Sequence, residues 1–141
     1  IEMRIFNIYI EIIFLYKIKC QWDDAIKFAN EALAIAHKIK KEREEAIILN
    51  ELGIIGIYNR NYHLATSSLN KSKKINLELS DREGLINNFL NLGIVHRIQQ
   101  NWKIAKECYE NVLKEKELRK DFYGIDTIKK IIQELNRKIK K

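Results

Sequence analysis

Downstream of Ser80 the apolar residues Leu85, Phe89, Leu92, Val95 and Ile98 recur every three or four positions, and after Asn101 the rhythm resumes with Trp102, Ala105, Tyr109, Val112 and Leu113. That spacing gathers large side chains on one face of a helix, so the stretch predicts two helices joined by a tight turn near Gln100. Ser80 followed by Glu83 has the form of a capping box and predicts the first helix to open there. Asn101 stands where it can cap the second. A small alanine at 105 allows close approach of the pair, while the large residues fill the grooves between ridges.

The pattern repeats at a period of 40 residues. That shift aligns Trp22 with Tyr62 and Trp102, Ala25 with Ala65 and Ala105, Ile12 with Leu52 and Leu92, and Gln21 with Asn61 and Asn101. Leu52-Gly53 recurs as Leu92-Gly93, where the first copy has Ile12-Ile13, and Asp81 to Gly84 recurs as Asp121 to Gly124. A fixed period of this length indicates stacked helix pairs, each burying its faces against its neighbours. Three copies are expected over about 2–40, 42–80 and 82–120, with a closing helix over about 122–140, in one domain spanning 1–141.

These residues resemble the tetratricopeptide repeat. In the third copy Phe89, Leu92, Gly93, Trp102, Ala105, Tyr109 and Val112 match its pattern; in the second Leu49, Leu52, Gly53, Tyr62, Ala65, Leu69 and Ser72 do so. The first copy keeps Tyr16, Trp22, Ala25, Ala29 and Ala32, with Ile13 in place of the glycine. The family's terminal proline is missing throughout, and the usual repeat of about 34 residues is stretched, which is similar to the long-helix variant of the family. HEAT and armadillo repeats have comparable periods but lack this Leu-Gly, turn, aromatic-x-x-Ala arrangement. The resemblance implies an all-α, right-handed α-solenoid of antiparallel helix pairs, closed by a capping helix.

It also implies a site. In the family the first helices of successive units line a concave groove that takes up a partner segment. The matching positions here are Phe14 and Lys17 in the first copy, Asn50 and Ile54 in the second, Asn87, Asn91, Ile94 and Arg97 in the third, and Lys130 and Arg137 on the last helix. Asn offers a donor and an acceptor to a peptide backbone, and the row of Phe14, Ile54 and Ile94 can receive alternate apolar side chains. Arg97, Lys130 and Arg137 suit a carboxylate. The paired cationic clamp of the chaperone-binding members is not reproduced, since Glu51 stands where the clamp would want an amide.

Composition narrows the function classes. The chain has no proline, five glycines and two cysteines among 141 residues, which disfavours a many-stranded sandwich, a disulfide framework and a four-ligand zinc site. The net charge is +7, but the excess is spread along the chain, and Lys alternates with Glu as in Lys114-Glu115-Lys116-Glu117. Nucleic-acid binders concentrate their cations on one face, so no nucleic-acid contact is expected. His37, His63 and His96 lack metal-ligand spacing, and phosphate loops and nucleophile motifs are missing. No enzyme, cofactor or metal is expected.

The ends differ in character. The last helix sets Tyr123, Ile128, Ile131, Ile132 and Leu135 against Lys129, Lys130, Arg137 and Lys138, as a cap with one wet side would. The first is apolar around most of its circumference from Ile5 to Ile18, so an upstream neighbour or another chain is expected to cover it; self-association through residues 1–18 is one outcome. Charges at Glu2, Arg4, Glu11 and Lys17 rule it out as a membrane span. The expectation is a cytoplasmic protein- or peptide-binding scaffold. Its alternatives are the sensor half of a bacterial peptide-responsive transcription regulator and a structural self-assembly module.

Overall fold

A computed structural model describes residues 2–141. It is all-α: seven helices among the described residues, α1 (Glu2–Ile18), α2 (Trp22–Lys38), α3 (Glu42–Tyr58), α4 (Tyr62–Glu78), α5 (Arg82–Ile98), α6 (Trp102–Arg119) and α7 (Ile125–Lys140). The chain divides into two compact units, one ending at Ile75 and the other beginning at Asn76. In the first, α1 packs on α2 and α2 on α3; in the second, α5 packs on α6 and α6 on α7.

Helices α1 to α5 each span 17 residues, about 25 Å of rise. What ends them is a backbone motif at 20-residue intervals. Cys20, Lys40, Arg60, Ser80, Gln100 and Lys120 all have φ between 54° and 63°, the left-handed region. Around each, two hydrogen bonds close the preceding helix: Cys20 N donates to Lys17 O at 3.0 Å and Gln21 N to Tyr16 O at 2.9 Å, and the pattern returns at Asn101 N to His96 O, 2.7 Å. These are Schellman closures, which normally place glycine at the left-handed residue. The residue that completes each of the first five closures also starts the next helix, so the linkers hold only three residues and force the chain to reverse.

The starts differ from the sequence reading at Ser80, at Asn101 and at the last helix. Ser80 is the left-handed residue of a closure and cannot cap; Asp81 does so, its Oδ1 accepting from Gly84 N at 3.0 Å. Asn61 caps as its type suggests, accepting from Leu64 N at 3.1 Å. Asn101 occupies the cap position without a side-chain cap bond, and its Nδ2 lies 3.3 Å from His96 Nδ1.

Close approach within the helix pairs comes from complementary sizes. A Cβ on Gly93 would lie 2.8 Å from the Tyr109 ring, and one on Gly53 would run into Leu69. The first copy reverses the arrangement, with Ile13 and Ala29 both buried in one core. Gly56 is tighter still, since an added Cβ would meet backbone, 2.7 Å from Ala65 N. Ala25, Ala65 and Ala105 are all fully buried.

Polar groups in these interiors are matched. Ser72 Oγ donates to Ala46 O at 2.6 Å, and Asn76 Nδ2 to Asn88 Oδ1 at 2.6 Å. The position that is Ala36 in the first copy and Asn76 in the second is Lys116 in the third, 9% exposed, and its ammonium donates to Tyr123 O at 2.9 Å and Asp121 Oδ2 at 3.2 Å. Asp121 Oδ1 in turn accepts from Tyr123 N. This clasp turns the chain through Gly124 (φ 75°), and α7 therefore opens at Ile125, later than the expected 122. It also leaves Tyr123 88% exposed instead of covering the third helix pair, where Ile128 and Leu135 do that work.

The bond from Tyr123 N, followed by the Lys116 ammonium, holds the Asp121 carboxyl below the usual carboxylate range. A carboxyl whose pKa is lower folded than unfolded contributes stability that is complete above the unfolded value, about 4, and is lost as pH falls through the folded one. Asp121→Asn should accordingly lower the urea midpoint at pH 7, and the gap from wild type should narrow toward pH 3. A gap independent of pH would mean that the carboxylate charge contributes nothing to the clasp.

Candidate functional site

In the second unit, the end of α5, the start of α6 and the last turns of α7 enclose a cleft of about 370 Å³ lined by Ile94, Arg97, Ile98, Trp102, Glu134, Leu135 and Lys138. Its apolar wall comes from α5, where Ile94 and Ile98 are 38% and 47% exposed. Both lie one helical turn apart on the strip that also carries Asn87 and Asn91. Asn87 is exposed and Asn91 half-buried.

Trp102 forms the wall toward α6. Lys138 lies over its ring, Nζ 5.7 Å from the centroid, an arrangement in which the ring's negative face attracts the cation. A second cleft of about 430 Å³ also adjoins this pair, bordered by Gln100, Asn101, Lys103, Ile104 and Ile139. Trp102 and Lys138 belong to both clefts. The first unit repeats the relation: Tyr58 stands as far along the sequence from Trp22 as Lys138 from Trp102, and stacks on it with centroids 5.7 Å apart and an interplanar angle of 6°.

The sequence-predicted residues divide into groups. Ile94 and Arg97 share the cleft with Glu134, while Lys130 and Arg137 are exposed on α7 outside its lining. In the first unit Phe14 is 58% exposed and Ile54 half-buried. Lys17 donates to Glu51 Oε2 at 2.6 Å, so its charge is already answered. Asn50 is half-buried. Sequence reasoning missed Trp102 and Lys138 as surface groups. It assigned the tryptophan to packing and the lysine to the solvated side of the last helix.

Other groups give little chemistry. Cys20 is exposed and Cys108 buried, both as free thiols. No cluster of three or more His, Cys, Asp or Glu suited to a metal ion occurs among the described residues. No helix among them is long and apolar enough to cross a membrane. The Glu31 carboxylate accepts a hydrogen bond from the Tyr9 hydroxyl and raises its pKa, which stabilises the neutral phenol.

Fold and surface together define a class: an all-α chain of antiparallel helix pairs packed in sequence, with a cleft open to solvent in the second unit. The crystal structure of BtubC (BKLC) from P. vanneervenii has a similar fold, with a TM-score of 0.76 at 18% sequence identity, covering 99% of this chain and 62% of the BtubC chain. BtubC is a tetratricopeptide-repeat protein, and the sequential packing of helices within each unit here is consistent with repeats of that kind. This chain therefore spans less than two thirds of BtubC's length. No family model matches the sequence, and no curated protein matches it.

Proposed function

We propose that the chain is a long-helix tetratricopeptide-type module that binds a segment of another protein, without catalysis, along the strip from Asn87 to Trp102. The observation that carries this reading is the cleft in which Ile94, Ile98 and Trp102 meet Arg97, Lys138 and Glu134. Small-molecule sites are typically enclosed and mostly apolar; an open face with amides, exposed isoleucines and both charges suits a polypeptide. The similarity in fold to a repeat scaffold supports the same class.

The chemistry of the segment follows from the lining. Cations outnumber the single carboxylate, so an Asp or Glu side chain of the ligand is favoured near Arg97 and Lys138. Ile94 and Ile98 favour an aliphatic or aromatic neighbour, and Asn87 and Asn91 can pair with its backbone.

Panning a random peptide display library on the chain tests this. Peptides with an acidic residue next to a large apolar one should be enriched, and Ile94→Glu with Arg97→Glu should weaken them at least tenfold while leaving the circular dichroism unchanged. Enrichment of nothing, or of peptides that bind the variant equally, would refute the reading.

A further inference from the structure

The second cleft of the α5–α7 unit shares Trp102 and Lys138 with the first, and the rest of its lining is its own. Its apolar surface is Ile104, 47% exposed, together with the half-buried Trp102 and Ile139. Its charged groups are Lys103 and Lys138, both exposed, and no carboxylate is among its lining residues. Glu107 and Glu134, each one helical turn from one of these lysines, lie outside that lining. Neither ammonium forms an ion pair among the described residues, and Lys138 lies over the Trp102 ring.

The fold does not impose this chemistry. Two copies earlier, around the equivalent Trp22, the positions of Lys103, Ile104, Lys138 and Ile139 are Asp23, Asp24, Tyr58 and Asn59. An acidic pair suits the positive end of the helix dipole, which a lysine opposes. The third copy forgoes that favourable charge for a cation and exposes an isoleucine beside it. Contact with a ligand that is anionic and has an apolar body accounts for both changes.

Building on the reading of the first cleft as a polypeptide site, we propose that the second cleft is a further subsite for the same partner segment, taking an acidic residue with an aliphatic neighbour. Across the two clefts three cations, Arg97, Lys103 and Lys138, stand against one carboxylate, Glu134, so a segment with two carboxylates completes the charge balance. Because the clefts share Trp102 and Lys138, the two acidic residues are close together in the partner's sequence. A segment held in the first cleft alone leaves Lys103 unanswered.

The full chain can be panned with the random peptide display library, and the enriched peptides synthesised with a fluorescein label and titrated. Peptides with two nearby acidic residues are expected. Lys103→Glu with Ile104→Ser should weaken them about tenfold, through one repelled carboxylate and one lost apolar contact. Replacing one of the two acidic residues by its amide should make a peptide insensitive to Lys103→Glu, which identifies the residue that sits in the second cleft. Both chain positions are exposed, and glutamate suits the start of α6, so the circular dichroism should be unchanged and the urea midpoint of Lys103→Glu no lower than that of wild type. Peptides lost on Ile94→Glu with Arg97→Glu, yet bound by Lys103→Glu with Ile104→Ser as by wild type, overturn the second subsite and leave the first reading standing. Peptides indifferent to all four substitutions, or no enrichment, overturn both. A chain that sediments as a dimer, and as a monomer on Lys103→Glu, also overturns the proposal, since a second copy would then fill the cleft.

Discussion

Glycine at all six left-handed positions, Cys20, Lys40, Arg60, Ser80, Gln100 and Lys120, should raise the unfolding free energy by roughly 3 to 6 kcal/mol in total. A residue with a Cβ in the left-handed region is strained by roughly 1–2 kcal/mol, and glycine returns part of that, about 0.4–1 kcal/mol, through the greater freedom of its unfolded chain. The remainder is about 0.5–1 kcal/mol per site. All six side chains are exposed, so little packing is lost, and each closure is made by its own pair of backbone bonds, so the contributions should add. Urea denaturation followed at 222 nm would measure the sum. A midpoint that stays put would show that the closures are not strained.

The second large effect concerns the glycine and large-residue pairs. Gly93→Ile should destabilise by about 3 kcal/mol or more, because the new side chain enters space held by the Tyr109 ring. Tyr109→Ala alone should cost about 3–5 kcal/mol through the cavity it leaves. Together they should lose less than the sum, with a coupling of about 3 kcal/mol. The first copy already lives with this solution, since Ile13 and Ala29 occupy the equivalent positions and are both buried. A double variant that loses the full sum would show that the two helix pairs pack on different principles.

Much of the fold was legible because packing repeats its demands in residue size. The aligned alanines at 25, 65 and 105 are buried in the interior the periodicity assigned to them. The closures were invisible for the opposite reason. Cys, Lys, Arg, Ser, Gln and Lys have no side-chain property in common, and the motif is made by backbone atoms alone. Ser80 was misread on that account: its hydroxyl and the following Glu83 imitate a capping box, while the backbone reversal places the cap one residue later. The late start of α7 depends on Lys116 reaching Asp121 and Tyr123, a contact that sequence spacing does not announce.

The surface was less legible. Ile94 and Arg97 were located by offset from Leu92, and the cleft contains both. Trp102 and Lys138 required knowing that the last turn of α7 lies over the opening of α6. Their counterpart Trp22–Tyr58 held the clue, since the two pairs have the same sequence separation, but a tyrosine and a lysine share no type that self-alignment would score.

The six backbone reversals also determine where evolution can change the chain's length. One residue added within a helix turns everything beyond it by about 100° and would carry Ile48 or Val95 out of its core. The three-residue linkers have no slack either, because both closing bonds and the next helix start use the same residues. Among the described linkers only the stretch from Asp121 to Gly124 is longer than three residues, and within it Phe122 makes none of the clasp's hydrogen bonds and is exposed. Insertions and deletions among homologous chains should therefore collect there, or arrive as whole multiples of the 40-residue unit.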